Sequence, residues 1–542
     1  MREGFRLYNG EVVLGLMLGL LYLFDYSIVP IGASIHEYRN EFFTPQLNAF
    51  LFHGGSEGLF ASKHHEDHNN QSSITSSGNK PLEGKSFIRF ESVTFKRTQE
   101  SAKIQNEMQS KTGLIEAIIF EVKDTEKIGG NYLKTNSNIL CCTPTLASQG
   151  SCTVGEVIIQ KDETTPEFPK RIQTFFAGTS QETKMPPQSV EINKTGMYYL
   201  YFMYCDPELK GTTVSGRTVW RNPEGYLPGK MVNLMTFYGF MSLLYLVLGL
   251  GWFLRFVQFW KDIMQLHYHI SAVIALGMCE MALWYFDYSN LGSTGSRPFG
   301  ITVWAVSVSA VKKTLSRLLL LVVAMGYGVV RPTLGGVTSK VMVIGVVYFV
   351  ATEALELVEN LGNINDFNGK SKLYLVLPVA FLDTWFILWI FSSLSNTLEK
   401  LQMRRSIAKL DVYRKFTNAL ALFVLLSIAW IGYELYFNAT DPISELWRIY
   451  WIIPAFWSLL AFSLLVVICI LWAPSRNPTR YAYAGDTGEE YDEEAISLTS
   501  GVKVDGGEVG MNMMMERKEK KGLGSTDHLI GLTEDVAEDK RE

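Results

Sequence analysis

The chain has 542 residues, of which 47% are hydrophobic and only 19% are charged, and its net charge is −5. Soluble domains average about 25% charged residues, so this composition indicates a membrane protein. No basic stripe exists outside the loops beside the apolar segments, which excludes nucleic-acid binding as a main function. The acidity lies in residues 474–542, where sixteen Asp and Glu oppose nine Lys and Arg.

Residues 1–33 are predicted to be a signal peptide. Arg2 and Arg6 precede an apolar core at residues 12–24, which is the order of a secretory signal. The core is shorter than the roughly 20 residues that span a bilayer. Cleavage near Ala33 is therefore favoured, and the alternative is an uncleaved anchor that would add an eighth helix.

Residues 34–230 are predicted to form a lumenal β-sandwich. Five runs are rich in β-branched and aromatic residues and are separated by Gly, Pro, Asn and Ser, whereas helical periodicity is weak. The five predicted strands are Ile88–Phe95, Leu114–Val122, Val154–Gln160, Ile172–Ala177 and Met197–Cys205.

Four of the six cysteines lie in this domain, and an even number in a secreted domain predicts two disulfides. Adjacent cysteines rarely pair with each other, so each member of the adjacent pair is expected to bond one of the other two. The sequence leaves the order open. The remaining two cysteines lie in apolar segments and are predicted to be core thiols. The domain cysteines are Cys141, Cys142, Cys152 and Cys205, and the others are Cys279 and Cys469.

Seven apolar spans within residues 231–473 predict a seven-helix membrane bundle. With the first domain lumenal, twelve Lys and Arg fall on the cytosolic side and four in the lumenal loops, as the positive-inside rule requires. The predicted spans are 232–255, 268–287, 300–330, 341–358, 373–394, 416–437 and 450–473.

Three glycosylation triplets agree with this orientation. They begin at Asn70, Asn193 and Asn438, and all fall on the predicted lumenal side, the last in the loop between spans six and seven. The tail, residues 474–542, is predicted to be disordered and cytosolic. It is interpreted either as a solvated tail or as a sorting signal for cytosolic machinery.

Several strings resemble the GOLD-domain seven-transmembrane family, also called the lung seven-transmembrane receptor family. Together with the matching topology they extend the resemblance over most of residues 34–473. The strings are residues 34–38 (SIHEY), 48–59 (NAFLFHGGSEGL), 216–229 (GRTVWRNPEGYLPG) and the third span from Lys312 and Lys313 to residues 326–332 (GYGVVRP).

The resemblance implies a GOLD β-sandwich above a seven-helix bundle, residence in Golgi and endosomal membranes, and a role in trafficking. The family is also similar in architecture to Wntless, a carrier of lipidated cargo. Some members have been proposed as cation channels or as G-protein-coupled receptors, so the resemblance specifies architecture more closely than activity.

Charged residues inside the spans are the candidate functional residues, because a charge in hydrocarbon is costly unless it faces a cavity or a partner. Counting about 1.5 Å per residue from the cytosolic ends predicts four near the midplane: Glu280, Arg317, Glu353 and Asp383. Glu356 is predicted somewhat higher, and Lys312, Lys313 and Glu434 near the lumenal edge.

Two interpretations of these charges remain open. They form ion pairs that lock helices three, four and five together, or they line a polar cavity for a headgroup or for cations. Pro378 and Pro454 would kink their helices and help to open such a space. The excess of acid suits a cationic or zwitterionic guest such as an ammonium-bearing phospholipid, and no other cofactor is expected.

Metal and enzyme functions are not expected. The run His64-His65-Glu66-Asp67-His68 has helical ligand spacing between His64 and His68, but its polar surroundings favour an exposed loop. The sequence has no Gly-x-Ser-x-Gly elbow, phosphate loop or HExxH motif. The motifs of rhodopsin-like receptors are also missing from the ends of spans three and seven.

The sequence therefore predicts a Golgi or endosomal protein that acts in sorting or retrograde transport, with a lumenal domain that binds cargo and a bundle that holds a lipid. The alternatives are a cation channel and a receptor whose lumenal domain senses a ligand. Residues 318–325 and 420–428 are strongly apolar, which favours a cavity closed on the cytosolic side.

Overall fold

The computed structural model describes residues 34–62, 84–106, 113–129, 139–150, 152–160, 168–327, 330, 335–361, 369–405, 407–441 and 445–474. The predicted signal peptide, Asn70, the His64–His68 run and the tail from residue 475 lie outside the described residues.

The described residues of the N-terminal domain form ten antiparallel strands in two sheets. In chain order they are β1 Ile35–Phe42, β2 Thr44–Gln46, β3 Ala49–Leu59, β4 Phe87–Lys96, β5 Leu114–Glu121, β6 Lys170–Phe175, β7 Glu182–Lys184, β8 Ser189–Glu191, β9 Gly196–Tyr204 and β10 Thr213–Arg221. One sheet has the order β1-β10-β4-β7, with β8 also paired to β4, and the other has the order β2-β3-β9-β5-β6.

The core of this domain lies between the two sheets. Phe90 and Phe95 of one sheet contact Phe202 of the other with their ring centroids 6.2 and 5.5 Å apart. Trp220 and Leu200 are fully buried beside them. Two antiparallel sheets that enclose one apolar core form a β-sandwich, which confirms the predicted fold class.

Four of the five predicted strands are present with small shifts at their ends, whereas residues 154–160 form only isolated bridges, through Val157 and Ile159. These residues are β-branched and apolar because they pack on the outer face of a sheet, against Ile118 and Phe120. Their composition therefore resembled that of a strand. The prediction also missed the long strands β1, β3 and β10 and the three-residue strands β2, β7 and β8. Strand β3 contains three glycines and a register shift between His53 and Gly55, features that depress strand propensity.

Seven long helices follow in the part of the chain that the structure describes. They are α1 Gly229–Gln258, α2 Gln265–Thr294, α3 Phe299–Ala324, α4 Val337–Leu361, α5 Gly369–Met403, α6 Ile407–Thr440 and α7 Ile452–Leu471. Six of them, all except α3, are long and apolar enough over their described residues to cross a membrane. Helix α3 has 26 residues, and Lys312, Lys313 and Arg317 lie within it.

Successive helices pack side by side, and α3 contacts three of them: α2, α4 and α5. Helix α7 returns to contact α1, which closes the bundle. Helix α3 is therefore packed on several sides, although it is the one long helix whose described residues contain no stretch apolar enough to cross a membrane. Its basic residues explain both properties, because charged side chains within a bundle require partners on neighbouring helices.

The third helix ends earlier than predicted, at Ala324 instead of residue 330. Gly326 has a φ of +80°, a left-handed conformation that glycine adopts easily and that commonly ends helices. As a result Lys312 and Lys313 lie at the middle of α3, and their predicted position near the lumenal edge was wrong.

Two further expectations fail because of where side chains lie on their helices. Cys279 is exposed on the bundle surface whereas Cys469 is buried, so only Cys469 is a core thiol. Pro454 lies in the first turn of α7, which begins at Ile452. A proline there does not remove an internal hydrogen bond, so Pro454 does not kink the helix. Pro378 does lie inside α5.

The sandwich is joined to one end of the bundle through Trp447, in the connection between α6 and α7. Trp447 is 4% exposed, and its ring contacts the ring of Phe60 with centroids 5.4 Å apart. A Cβ added at Gly58 or at Gly229 would lie 2.5 or 2.6 Å from the Trp447 ring. These two glycines therefore make room for the ring. The end of the bundle away from the sandwich is called the distal end below.

Candidate functional site

Three ion pairs connect α3 to its three neighbours. Lys312 Nζ donates to Glu280 Oε2 of α2 at 2.6 Å, and both side chains are less than 10% exposed. Lys313 Nζ donates to Glu356 Oε1 of α4. Each of these bonds joins a cation to an anion inside a helical bundle, where a lone charge would be costly.

The third pair joins α3 to α5. Arg317 Nε donates to Asp383 Oδ1 at 2.9 Å, and Tyr348 Oη of α4 donates to the same oxygen at 3.1 Å. The expected ion pairs are therefore present, and they extend to helix two through Glu280. Helix α3 thus supplies the basic residue of each of these three ion pairs between helices.

Two of the pairs are nevertheless accessible. The side chain of Lys313 is 50% exposed, Arg317 is 37% exposed and Asp383 is 31% exposed. Lys313 and Arg317 are four residues apart, so they share one face of α3. The neighbouring helices leave part of that face accessible. Accessible charged side chains on one helix face are expected in the wall of a polar cavity.

The middle of α6 is only partly covered by its neighbours. No residue from Ala421 to Tyr436 is buried, although the stretch is largely apolar and contains more than four helical turns. It contacts α7 through Trp430, whose ring stacks on that of Phe456 with centroids 3.9 Å apart. The buried residues of α6 lie nearer its ends, with Tyr413, Phe416 and Leu420 at one and Phe437 at the other.

Two acidic residues have no basic partner among the described residues. Ser307 Oγ donates to Glu353 Oε1 at 2.7 Å, while Glu353 Oε2 is buried and without a hydrogen bond. Trp457 Nε1 lies 3.4 Å from Glu434 Oε2. The three ion pairs balance internally, so these two carboxyl groups account for the acidic excess of the eight predicted residues.

The distal end of the bundle is closed by an aromatic floor, defined as Tyr413, Phe416 and Trp472. All three are at most 1% exposed, and both Tyr413 and Phe416 contact Trp472 edge-on, with centroids 5.9 and 5.0 Å apart. Tyr413 Oη also donates to the carbonyl of Val323 at 3.1 Å, which ties the floor to the end of α3.

Asp287 is a buried charge of the bundle that was not predicted from the sequence. It is fully buried in α2, accepts a 2.6 Å hydrogen bond from Thr302 Oγ1, and lies 3.8 Å from Arg297 Nε. The predicted span ended at residue 287, whereas α2 continues to Thr294. No glycine or proline occurs between Asp287 and Gly292, and that signal could have placed Asp287 inside the helix.

The remaining predicted sites lie in or near the sandwich. The disulfides pair Cys141 with Cys205 and Cys142 with Cys152, one of the two orders that remained open. Asn193 is exposed, and Asn438 is exposed in the last turn of α6 instead of in a loop. Among the described residues no group of His, Cys, Asp or Glu could hold a metal ion.

Two ionisable groups of the sandwich have a shifted pKa and adjoin the same histidine, His36. Glu57 is 2% exposed, its Oε1 lies 3.0 Å from His36 Nε2, and burial raises the pKa of this carboxyl. His53 is partly buried and packs against Tyr199 and Tyr201. Burial, together with the nearby His36, lowers the pKa of His53 to about 4.

Comparison with known proteins identifies the helical region. Residues 233–479 match the family described as GOST, seven transmembrane domain. The chain is 37% identical to transmembrane protein 87B of Mus musculus over an alignment of 291 residues. This alignment covers 52% of this chain and 51% of that protein. The chain is 36% identical over 292 residues to transmembrane protein 87A of Xenopus tropicalis, covering 53% of each.

A longer and weaker alignment includes much of the sandwich as well. The chain is 26% identical over 421 residues to membrane protein PTM1 of Saccharomyces cerevisiae (strain YJM789), covering 72% of this chain and 76% of that protein. The chain spans only about half the length of the two vertebrate relatives. The matched region contains the seven helices, and a β-sandwich precedes it: residues 233–479 of this chain match the seven-transmembrane domain of the GOST family, which agrees with the predicted resemblance.

Proposed function

We propose that the protein acts in membrane trafficking in the Golgi and endosomes, by sorting or by retrograde transport, and that its bundle holds an ammonium-bearing phospholipid. In this proposal the sandwich binds a lumenal cargo protein or ligand, and the tail engages cytosolic sorting machinery. The location and the trafficking role rest on the family resemblance, whereas the lipid rests on the geometry of the bundle.

One observation carries the lipid proposal. The open face of α3 presents Lys313 and Arg317, each bonded to a carboxylate and still more than a third exposed. The unburied middle of α6 supports the same conclusion. The face of α3 is polar and the middle of α6 is apolar. This combination suits an amphipathic ligand whose headgroup lies near α3.

The charge balance selects the headgroup. The ion pairs are neutral as units, and Glu353 and Glu434 add acidic groups without basic partners among the described residues. A phospholipid with an ammonium group can complement both features, since its phosphate meets the exposed cations and its ammonium meets the carboxylates.

The aromatic floor favours a carrier over a channel. A conducting pathway needs a continuous polar route, and Tyr413, Phe416 and Trp472 close the distal end with fully packed rings. The second candidate function, a cation channel, would require this floor to open. A receptor in which the sandwich senses a ligand would use the same joint at Trp447.

The test is purification of the full chain followed by lipid extraction and by cation flux in liposomes. We expect a phospholipid with an ammonium headgroup to be retained at about one per chain. Lys313→Ala and Asp383→Asn should reduce retention several-fold, because each removes one half of an exposed ion pair. No cation flux above that of empty liposomes is expected.

The matched control is Lys415→Ala, which removes a surface pair with Asp411 on α6 that is more than half exposed. It should leave lipid retention unchanged. Flux that depends on Asp383 would overturn the carrier proposal in favour of a channel. A natively folded protein with no retained lipid would overturn the lipid proposal itself.

A further inference from the structure

A second apolar site lies outside the bundle core, in a groove between α4 and α5. The groove has a volume of about 630 Å³ and is lined chiefly by Lys340, Val343, Trp385, Leu388, Trp389 and Ser392. Sites for small ligands fall between about 300 and 1,000 Å³. The groove is therefore large enough to hold part of a lipid, and it shares no residue with the ion pairs of α3.

The groove faces away from the core of the bundle. On α5, the buried residues Phe386 and Ile390 are at most 4% exposed, whereas Trp385 is 50% and Leu388 is 64% exposed. On α4, Val343 is 60% exposed. The groove thus opens onto the bundle surface, where the hydrocarbon of the membrane would contact it.

The lining of the groove carries a positive charge and no negative charge. Lys340 is the only charged residue of the lining, it is exposed, and no acidic side chain lies beside it in the groove. Among the described residues Lys340 forms no ion pair. Ser339 and Ser392 add hydroxyl groups at the same level. An unneutralised ammonium with hydroxyls at the mouth of an apolar groove complements a phosphate-bearing headgroup with acyl chains.

The position of Lys340 agrees with this chemistry. It lies in the first turn of α4, at the distal end, where Lys400 lies in the last turn of α5 and Arg404 directly follows that helix. Basic pockets between transmembrane helices at the positively charged face of a bundle bind anionic lipid headgroups, and tryptophans are enriched at such depths. A peptide partner would need polar groups for its backbone, which the apolar walls do not supply.

We propose that the groove between α4 and α5 binds an anionic phospholipid, with its phosphate at Lys340 and one acyl chain along Val343, Leu388 and Trp389. This site is separate from the one considered above: it favours a net negative headgroup and contains no carboxylate for an ammonium group, it lies on the outer surface, and it is at the distal end. It would make the protein responsive to the anionic lipid content of its membrane.

The test uses the full chain in nanodiscs of phosphatidylcholine that contain a minor fraction of a photoactivatable lipid. The probe is phosphatidylserine in one sample and phosphatidylcholine in the other, each with a diazirine in one acyl chain. Adducts are mapped by peptide mass spectrometry. We expect adducts of the phosphatidylserine probe to concentrate at residues 339–344 and 385–392 and to exceed those of the phosphatidylcholine probe about fivefold, the effect of one lysine at an anionic surface.

Two pairs of variants, each with its own control, test separately whether the groove recognises the headgroup and whether its shape admits an acyl chain. Lys340→Gln should remove the preference for phosphatidylserine, whereas Lys400→Gln, at the end of the neighbouring helix, should keep it. Leu388→Trp should fill the groove and abolish the adducts of both probes there. Leu377→Trp, at a similarly exposed position higher on α5, should not.

Equal adducts from both probes, or a preference that survives Lys340→Gln, would overturn the proposal, because the groove would then hold any acyl chain without recognising a headgroup. Adducts spread evenly along all seven helices would also overturn it, since that pattern is typical of annular lipid. All four variants alter exposed side chains, so each is expected to fold.

Discussion

At the scale of single residues, the membrane half of this protein depends on how a few charges are paired. Glu280 and Lys312 lie almost entirely out of contact with solvent, whereas Asp411 and Lys415 form a pair on the surface of α6. The contributions of these two pairs to stability differ, because breaking a buried pair leaves one charge without a partner while breaking an exposed pair returns the charge to solvent.

We expect Lys312→Met to destabilise the protein by about 3–5 kcal/mol, because it leaves the Glu280 carboxylate buried and unpaired. The double change with Glu280→Leu should recover most of this loss. Lys415→Met should cost at most about 1 kcal/mol. The measurement is thermal unfolding in detergent. A double variant no more stable than Lys312→Met would contradict the explanation.

The sandwich should lose stability in mild acid through His53. Its pKa in the folded protein is about 4, below the ordinary value of 6.5, so the unfolded chain binds the proton more tightly. Stability from this group is complete above pH 6.5 and is lost as the pH falls toward 4, by up to about 1.4 kcal/mol per pH unit.

Hydrogen exchange of the β9 amides at a series of pH values would measure this loss, and His53→Gln should flatten the dependence. Glu57 acts in the opposite direction, because burial raises its pKa and its contribution falls as the pH rises. The comparison of His53→Gln with the unmodified protein removes that effect. An identical pH dependence in both would contradict the assignment to His53.

At the scale of elements, α3 and the connection between α6 and α7 organise the molecule. Helix α3 contains the three basic residues and contacts three neighbouring helices. Among the described helices of the bundle, it alone is not apolar enough by composition to be identified as a membrane span. The α6–α7 connection carries Trp447, which contacts the sandwich at Gly58 and the start of α1 at Gly229. One ring therefore touches both halves of the protein.

Trp447→Ala should loosen the sandwich from the bundle at a cost of about 3–5 kcal/mol, as for other buried aromatic residues. Faster hydrogen exchange is expected at residues 58–60, with little change in the β4–β10 pairing. Trp304→Ala, whose ring is 64% exposed on α3, is the matched control. Unchanged exchange at residues 58–60 would show that other contacts hold the joint.

At the scale of the whole molecule, the orientation in the membrane is a prediction from charge and from glycosylation triplets. Asn193 of the sandwich is exposed, and the sandwich adjoins the end of the bundle opposite Lys340, Lys400 and Arg404. The positive-inside rule predicts that this basic end is cytosolic. We therefore expect the sandwich to be lumenal, where disulfides form.

Asn193→Gln should therefore remove one glycan, seen as a loss of endoglycosidase-sensitive mass on a gel. In sealed vesicles, added protease should digest an epitope placed after Glu542 and spare the sandwich. A non-glycosylatable exposed position such as Asn40→Gln serves as the control for mobility. A protected C-terminal epitope would reverse the orientation.

Hydropathy and composition determined much of this architecture without any structure. The seven helices, the sandwich and the charged residues inside the bundle are local properties, because a bilayer requires about 20 apolar residues per span and a strand has its own composition. The failures were local as well. The six-residue error at the end of α3 placed Lys312 and Lys313 at the wrong depth, and the glycines of β3 concealed a strand.

Only the tertiary structure decided which groups meet. The order of the disulfides, the partner of each basic residue on α3, the burial of Asp287, the aromatic floor and the groove at Lys340 all depend on how each helix is rotated and which helix is beside it. These are contacts between residues far apart in sequence. Side-chain packing selects them, and no single stretch of the chain contains that information.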